Sequence, residues 1–158
     1  MSSELVFAPE LDVARWFNSP GPISVASLRG RVVVLYAFQM LCPGCVITAT
    51  PLAKRIHERL AGPDLAVIGL HTVFEHHEAM QPVSLAAYLH EFGVSFPVRV
   101  DRHDDGEALP ITMAAYGMRG TPTMVLIDRV GRVRGHLFGA ADELLLGAEI
   151  GVLLSEGR

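Results

Sequence analysis

Cysteine is scarce in this chain: two of 158 residues, Cys42 and Cys45. With no other thiol to pair with, a disulfide-stapled secreted scaffold is excluded. Long hydrophobic runs are missing too, since no apolar stretch approaches the ~20 residues a membrane-spanning helix needs. The first residues, MSSELVFAPELD, have neither a basic n-region nor a long apolar h-region, so no signal peptide is visible. The expectation is a cytoplasmic protein, or a periplasmic one if a leader has been removed. Charge is sparse and unblocked, with 13 basic and 17 acidic residues and a formal net charge of −4. That balance gives no electrostatic reason to expect nucleic acid or an anionic membrane as partner. Internal repeats and low-complexity tracts are absent as well.

What the chain does have is apolar substance. Half of its residues are hydrophobic, enough to bury a sizeable core. Residues 1–13 read as an N-terminal arm and 14–158 as a single domain. Ser19-Pro20-Gly21-Pro22 is a strong turn signal, and Ile23-Ser24-Val25 alternates apolar and polar, so 14–26 is expected to form a β-hairpin. Leu28-Arg29-Gly30 suggests a short helical turn. The β-branched and aromatic run 32–38 suits a central strand buried on both faces.

Apolar positions 46, 49, 52, 53, 56 and 60 predict a helix, kinked where Pro51 interrupts it and ended by Gly62-Pro63. Further strands are expected at 65–70 and 96–100. A helix capped by Ser84 and stopped by Gly93 lies between them. A short helix at 111–116 follows. Strands 123–127 and 132–138 are joined by a hairpin loop, and an apolar helix covers 144–154. Early βαβ units and a late hairpin predict an α/β fold with a mixed sheet and helices on both faces.

The chemistry concentrates in Cys42-Pro43-Gly44-Cys45, between a buried strand and a helix. A cysteine at a helix N-terminus meets unpaired N–H groups and the positive end of the dipole, which favour the nucleophilic thiolate. Pro43 fits the first helical position. Cys45 lies three positions on, so the two sulfurs can close a disulfide. One thiol attacks and the other resolves the mixed disulfide. Structural zinc normally needs four ligands, and no second C-x-x-C exists. A C-x-x-C in strand–helix context reads as a redox pair.

With these residues the chain resembles the thioredoxin-like superfamily, most closely its redoxin and TlpA-like branch, related to the AhpC/TSA peroxidases. The carriers are Leu28 to Val34, Phe38 to Cys45, Phe96-Pro97-Val98, and Gly120-Thr121-Pro122-Thr123 leading into Leu126-Ile127-Asp128. The resemblance implies a thioredoxin-like mixed sheet with an N-terminal β-hairpin and a central α/β insertion. It implies Cys42 as attacking thiol, Cys45 as resolving thiol, Pro122 as a cis-proline facing them, and Thr121 as substrate-docking residue. Several positions depart from the pattern. Leu41 and Phe38 stand where tryptophan is common, the middle pair is Pro-Gly, and Tyr36 replaces a buried aspartate. TlpA-like proteins often place a glutamate after the second strand, which makes Glu75 a candidate proton relay.

The activity expected is thiol–disulfide exchange on protein substrates, an enzymatic and antioxidant role. The partners are a protein thiol or disulfide and an external electron donor; no organic cofactor is implied. A peroxiredoxin-like peroxidase is the alternative, although Gln39 stands where those enzymes place a threonine. A redox sensor or a copper-binding module is the second alternative. His71, His76 and His77 beside Glu75 and Glu78 are the only histidine cluster that invites a metal, and no metal site is assigned to them. The helix at 144–154 either packs on the sheet of a monomer or supplies a homodimer face.

Overall fold

A computed structural model describes residues 4–157. Six strands form one mixed sheet: β1 (Val13–Phe17), β2 (Val32–Phe38), β3 (Leu65–His71), β4 (Val98–Asp101), β5 (Thr123–Ile127) and β6 (Val133–Phe138), in the order β1-β4-β3-β2-β5-β6. β2 pairs in parallel with β3, and β3 with β4; the β1–β4, β2–β5 and β5–β6 pairs are antiparallel. The sequence reading of a mixed sheet covered on both faces holds.

The central strand shows why. Every residue of β2 is buried, and its side chains alternate between two cores. Val32, Val34, Tyr36 and Phe38 face one core. There they meet α1 (Thr50–Leu60), α2 (Pro82–Glu91) and α4 (Glu143–Ser155) through Leu52, Ile56, Leu85, Leu89, Leu146 and Ile150. Val33, Leu35 and Ala37 face the other core, under α3 (Ile111–Ala115), Leu28 and Ala8. Gly69 in β3 is a close-approach position. A Cβ there would stand 2.8 Å from Val98 Cγ2 and 3.0 Å from Phe96 Cε2.

The N-terminal hairpin expected over 14–26 does not form. β1 pairs with β4 instead, extending the sheet at its edge, and Ile23-Ser24-Val25 carries no strand. The reason lies in burial. Trp16 and Phe17 find apolar partners on the two faces of the sheet, where a free two-stranded hairpin would leave them wet. Trp16 covers the fully buried Arg99 of β4, whose guanidinium lies 5.4 Å from the ring centroid. The arm is tied down as well: Tyr116 donates to the Pro9 carbonyl at 2.7 Å, and Phe7 bridges to Arg132.

Two helix starts also differ. α2 begins at Pro82 after an extended Gln81, so the proline at the first turn, rather than Ser84, sets its start. The helix after the cysteines begins at Pro43, widens into a π-helical turn over Cys45–Ala49, and continues as α1. The wider turn accommodates Pro51, which has no N–H for the ladder and whose ring crowds the preceding turn.

Candidate active site

The two cysteines sit at the C-terminal end of β2, where the chain turns into the helix. Gln39 and Met40 are buried, Leu41 is exposed, and Cys42 takes the N-cap place. The Cys42 carbonyl accepts from Val46 N at 3.0 Å, and its sulfur accepts from Cys45 N at 3.3 Å. A sulfur thus does here what a serine or aspartate oxygen does at other helix starts. Pro43 and Gly44 form the exposed first turn.

The two thiols are free and unequal. Cys42 is half-buried and Cys45 fully buried. Cys42 Sγ lies 3.6 Å from the Thr121 carbonyl oxygen, to which it donates. Burial above all, then the facing Cys42 sulfur, pushes the Cys45 thiol up to about 12. The Gln39 backbone N–H and the Thr121 hydroxyl act in the opposite sense on it. One thiol is therefore accessible, while its neighbour waits in the core as S–H.

The Thr121–Pro122 peptide bond is cis, and it brings the start of β5 against the motif. Pro122 Cδ lies 3.5 Å from the position a Cβ on Gly44 would take. Beside Gly44 and Pro122 runs an apolar groove of about 180 Å³, bounded by Leu52, Met124, Gly139 and Ala141.

Beneath the helix the aspartate position is Tyr36. Its hydroxyl contacts Thr50 Oγ1 at 2.8 Å and donates to the Cys45 carbonyl at 3.4 Å, while Thr50 reaches the Tyr88 hydroxyl at 3.1 Å. Burial raises the Tyr36 phenol well above its usual range, so it stays protonated and is no base.

Two further residues have roles that the sequence does not reveal. His71 was grouped with His76 and His77, yet it is buried at the end of β3, packed on Phe38, with Nε2 accepting from Met40 N at 3.2 Å. That bond puts its proton on Nδ1, and burial pushes the imidazole down to about 4. His71 is a prop for the turn before Cys42. His76 and His77 are exposed, and His77 stacks on His103 at 5.3 Å. Among the described residues no group of three or more His, Cys, Asp or Glu is placed to hold a metal ion.

In the sequence Gln39 stands out only as the residue at the threonine position of the peroxidases. Its side chain instead bridges Thr121 Oγ1 at 3.3 Å and Phe74 N at 3.2 Å. A buried amide following seven apolar strand residues was the one sequence signal for this. Glu75, the next residue after Phe74, is exposed on the loop so tethered.

No family model matches the chain. A crystal structure of a thioredoxin-like superfamily protein is 56% identical, with a TM-score of 0.93, covering 96% of this chain and 98% of that one. The chain belongs to the thioredoxin-like superfamily. A thiol-disulfide isomerase from Corynebacterium glutamicum is 48% identical, with a TM-score of 0.89, covering 94% and 97% of the two chains. Protein DipZ of Mycobacterium tuberculosis is 31% identical over 154 residues, 96% of this chain and 21% of that protein. This chain thus spans about a fifth of the length of the curated relatives it matches.

Proposed function

We propose that this protein is a thiol–disulfide oxidoreductase that exchanges disulfides with protein substrates through Cys42 and Cys45. The observation that carries the reading is the unequal pair: a half-buried Cys42 sulfur at a helix N-cap, and a fully buried Cys45 one helical turn on. The likeness to a thiol-disulfide isomerase over nearly the whole of both chains supports it.

The reaction runs in two displacements. Cys42 thiolate attacks a substrate disulfide, forming a mixed disulfide and releasing the first substrate thiolate. Cys45 then loses its proton and attacks the Cys42 sulfur, closing the Cys42–Cys45 disulfide and releasing the second thiolate. The substrate gains the electron pair that the dithiol loses, and the two thiol protons pass to the released thiolates. The two sulfurs carry the electrons, so no organic cofactor is invoked. An external thiol donor restores the dithiol, and the sequence runs in reverse when a substrate dithiol is oxidised.

Thr121 and Pro122 form the wall against which an extended substrate segment lies, next to Cys42. The groove beside Gly44 and Pro122 takes an apolar substrate side chain. Glu75 is the candidate to relay the Cys45 proton to the released thiolate. Glu75→Gln then shifts the pH profile of exchange, and an unaltered profile removes it from the mechanism.

The test of the function is trapping. Cys45→Ser, incubated with a disulfide-bonded protein, is expected to accumulate a covalent adduct at Cys42 that a reducing agent dissolves. Cys42→Ser forms none. Equal trapping by both variants, or by neither, contradicts the reading.

A further inference from the structure

The backbone of Cys45 is held at both of its polar groups. Its N–H donates to the Cys42 sulfur at 3.3 Å. Its carbonyl accepts twice: from the Thr50 N–H that closes the π-helical turn, and from the Tyr36 hydroxyl at 3.4 Å. The same hydroxyl contacts Thr50 Oγ1 at 2.8 Å. One phenol thus spans the wide turn, from the carbonyl of its first residue to the side chain of the residue after its last. Regular α-helical spacing would hand the Cys45 carbonyl to the Ala49 N–H instead. A turn of the wider kind is uncommon and needs support from outside the helix.

Proton counting gives the support a direction. A carbonyl only accepts, so the single Tyr36 proton points at Cys45. Thr50 O–H then donates to Tyr36, and the Tyr88 hydroxyl, 3.1 Å from Thr50 Oγ1, donates to Thr50. Three hydroxyls, from β2, α1 and α2, are thereby ordered toward one carbonyl. All three residues are buried, so water competes little for these bonds. The Tyr36 ring is itself fixed by stacking on Phe38, with centroids 5.1 Å apart.

We propose that Tyr36 is a positioning residue for disulfide closure: its hydroxyl, backed by Thr50 and Tyr88, fixes the Cys45 backbone so that the buried sulfur stays within reach of Cys42. The inference rests on the exchange reading above. With glutathione as the partner, closure breaks the Cys42–glutathione S–S bond and forms the Cys42–Cys45 bond. The proton lost by Cys45 goes to glutathione, which departs as its thiol. Tyr36 exchanges no proton, since burial keeps its phenol protonated. It raises the effective concentration of one thiol at the other.

Glutathione redox buffers read closure and attack separately. Tyr36→Phe keeps the ring and removes the hydroxyl. It is expected to lower the equilibrium constant for the Cys42–Cys45 disulfide about tenfold, about 30 mV toward a more oxidising potential. Thr50→Val keeps the shape without the hydroxyl and is expected to shift it the same way by about fivefold or more. Thr50→Ser restores the hydroxyl and is expected to stay within about twofold of the natural protein. In a Cys45→Ser background no closure takes place. There Tyr36→Phe is expected to leave the Cys42–glutathione mixed-disulfide equilibrium within about twofold.

Two results would overturn the proposal. One is a disulfide equilibrium within about twofold of the natural value in both Tyr36→Phe and Thr50→Val. The other is an equal shift of the mixed-disulfide equilibrium in the Cys45→Ser background, the mark of a generally loosened site. If Tyr36→Phe does not fold, the contrast between Thr50→Val and Thr50→Ser decides, and equal values for those two overturn it. A natural protein that forms no Cys42–Cys45 disulfide overturns the exchange reading, and this inference with it.

Discussion

The two ends of the sheet solve the problem of buried polar groups in opposite ways. Immediately around the cysteines the buried polar contacts join uncharged groups, Gln39 with Thr121, His71 with Met40 N, and Tyr36 with Thr50, while the carboxylate at that end of the sheet, Asp101, accepts from Thr72 and from the Thr112 and Met113 N–H groups. At the β5–β6 turn they join full charges. Asp128 accepts from Arg132 Nε at 2.9 Å and from an Arg134 guanidinium N–H at 3.2 Å, and Arg134 also grips the Glu156 carboxylate at 2.6 and 2.9 Å. Paired charges lock geometry, while they also impose a fixed field. Neutral hydrogen bonds lock geometry and leave the sulfurs free to change charge during exchange. One end is built to hold still, the other to let a proton and an electron pair move.

The sharpest way to break this contrast is at the sulfurs. Cys42→Ser is expected to lower disulfide reduction by a factor on the order of 10³ or more, to the level of buffer thiols, in a turbidity assay of insulin reduction.

Next comes His71, the neutral prop. Its folded pKa is depressed to about 4 from an ordinary value of 6.5, so the folded state prefers the neutral ring. The unfolded chain then binds the proton first as pH falls. The contribution is fully present above about pH 6.5 and drains away down to about pH 4, amounting to about 3 kcal/mol. Urea unfolding of the natural protein and His71→Leu across that window measures the difference. The variant is expected to lack this part of the slope; parallel curves would deny the neutral prop.

Asp128→Asn probes the charged end. It removes the charge from a buried acceptor of two arginines and is expected to cost about 2 kcal/mol in urea unfolding. Burial would raise that carboxyl, but hydrogen bonds from Arg132 and Arg134 hold it below the usual range. Its contribution is thus present above the ordinary aspartate range and is lost as pH falls through the lowered value. A rate of exchange altered as strongly as stability would show that the two ends are not separate.

Gly69→Ala presses a methyl group into Val98 and Phe96 below the cysteine end, and is expected to cost about 1–3 kcal/mol. The smallest effect belongs to Asp142. Its carboxylate caps α4 by accepting from Leu144 N and Leu145 N, and Asp142→Ala is expected to cost about 1 kcal/mol without changing exchange.

Legibility in the sequence followed the range of the forces involved. β2, β5 and the C-terminal helix were readable because each is a nearly continuous apolar run in consecutive residues. The N-terminal hairpin was misread because a turn signal names a bend and not the partner of the strand before it. Val13–Phe17 found β4, which lies about 80 residues on in the chain, and no local pattern encodes that pairing. In the site, Cys42 and Cys45 announced themselves by spacing, whereas Gln39, His71 and Thr50 did not. Their roles depend on contacts across β2, β3, β5 and α2, and a single polar residue in an apolar run looks the same whether it is a brace or a ligand.

The most direct test of the central claim is a redox titration of the intact protein against glutathione buffers, with the thiol state read by mass after acid quenching. The account predicts one two-electron transition between a Cys42–Cys45 dithiol and a disulfide lighter by two hydrogens, with Cys45→Ser giving a stable glutathione adduct instead. Cysteines that stay reduced across the range, or a glutathione adduct that persists in the natural protein, would contradict it.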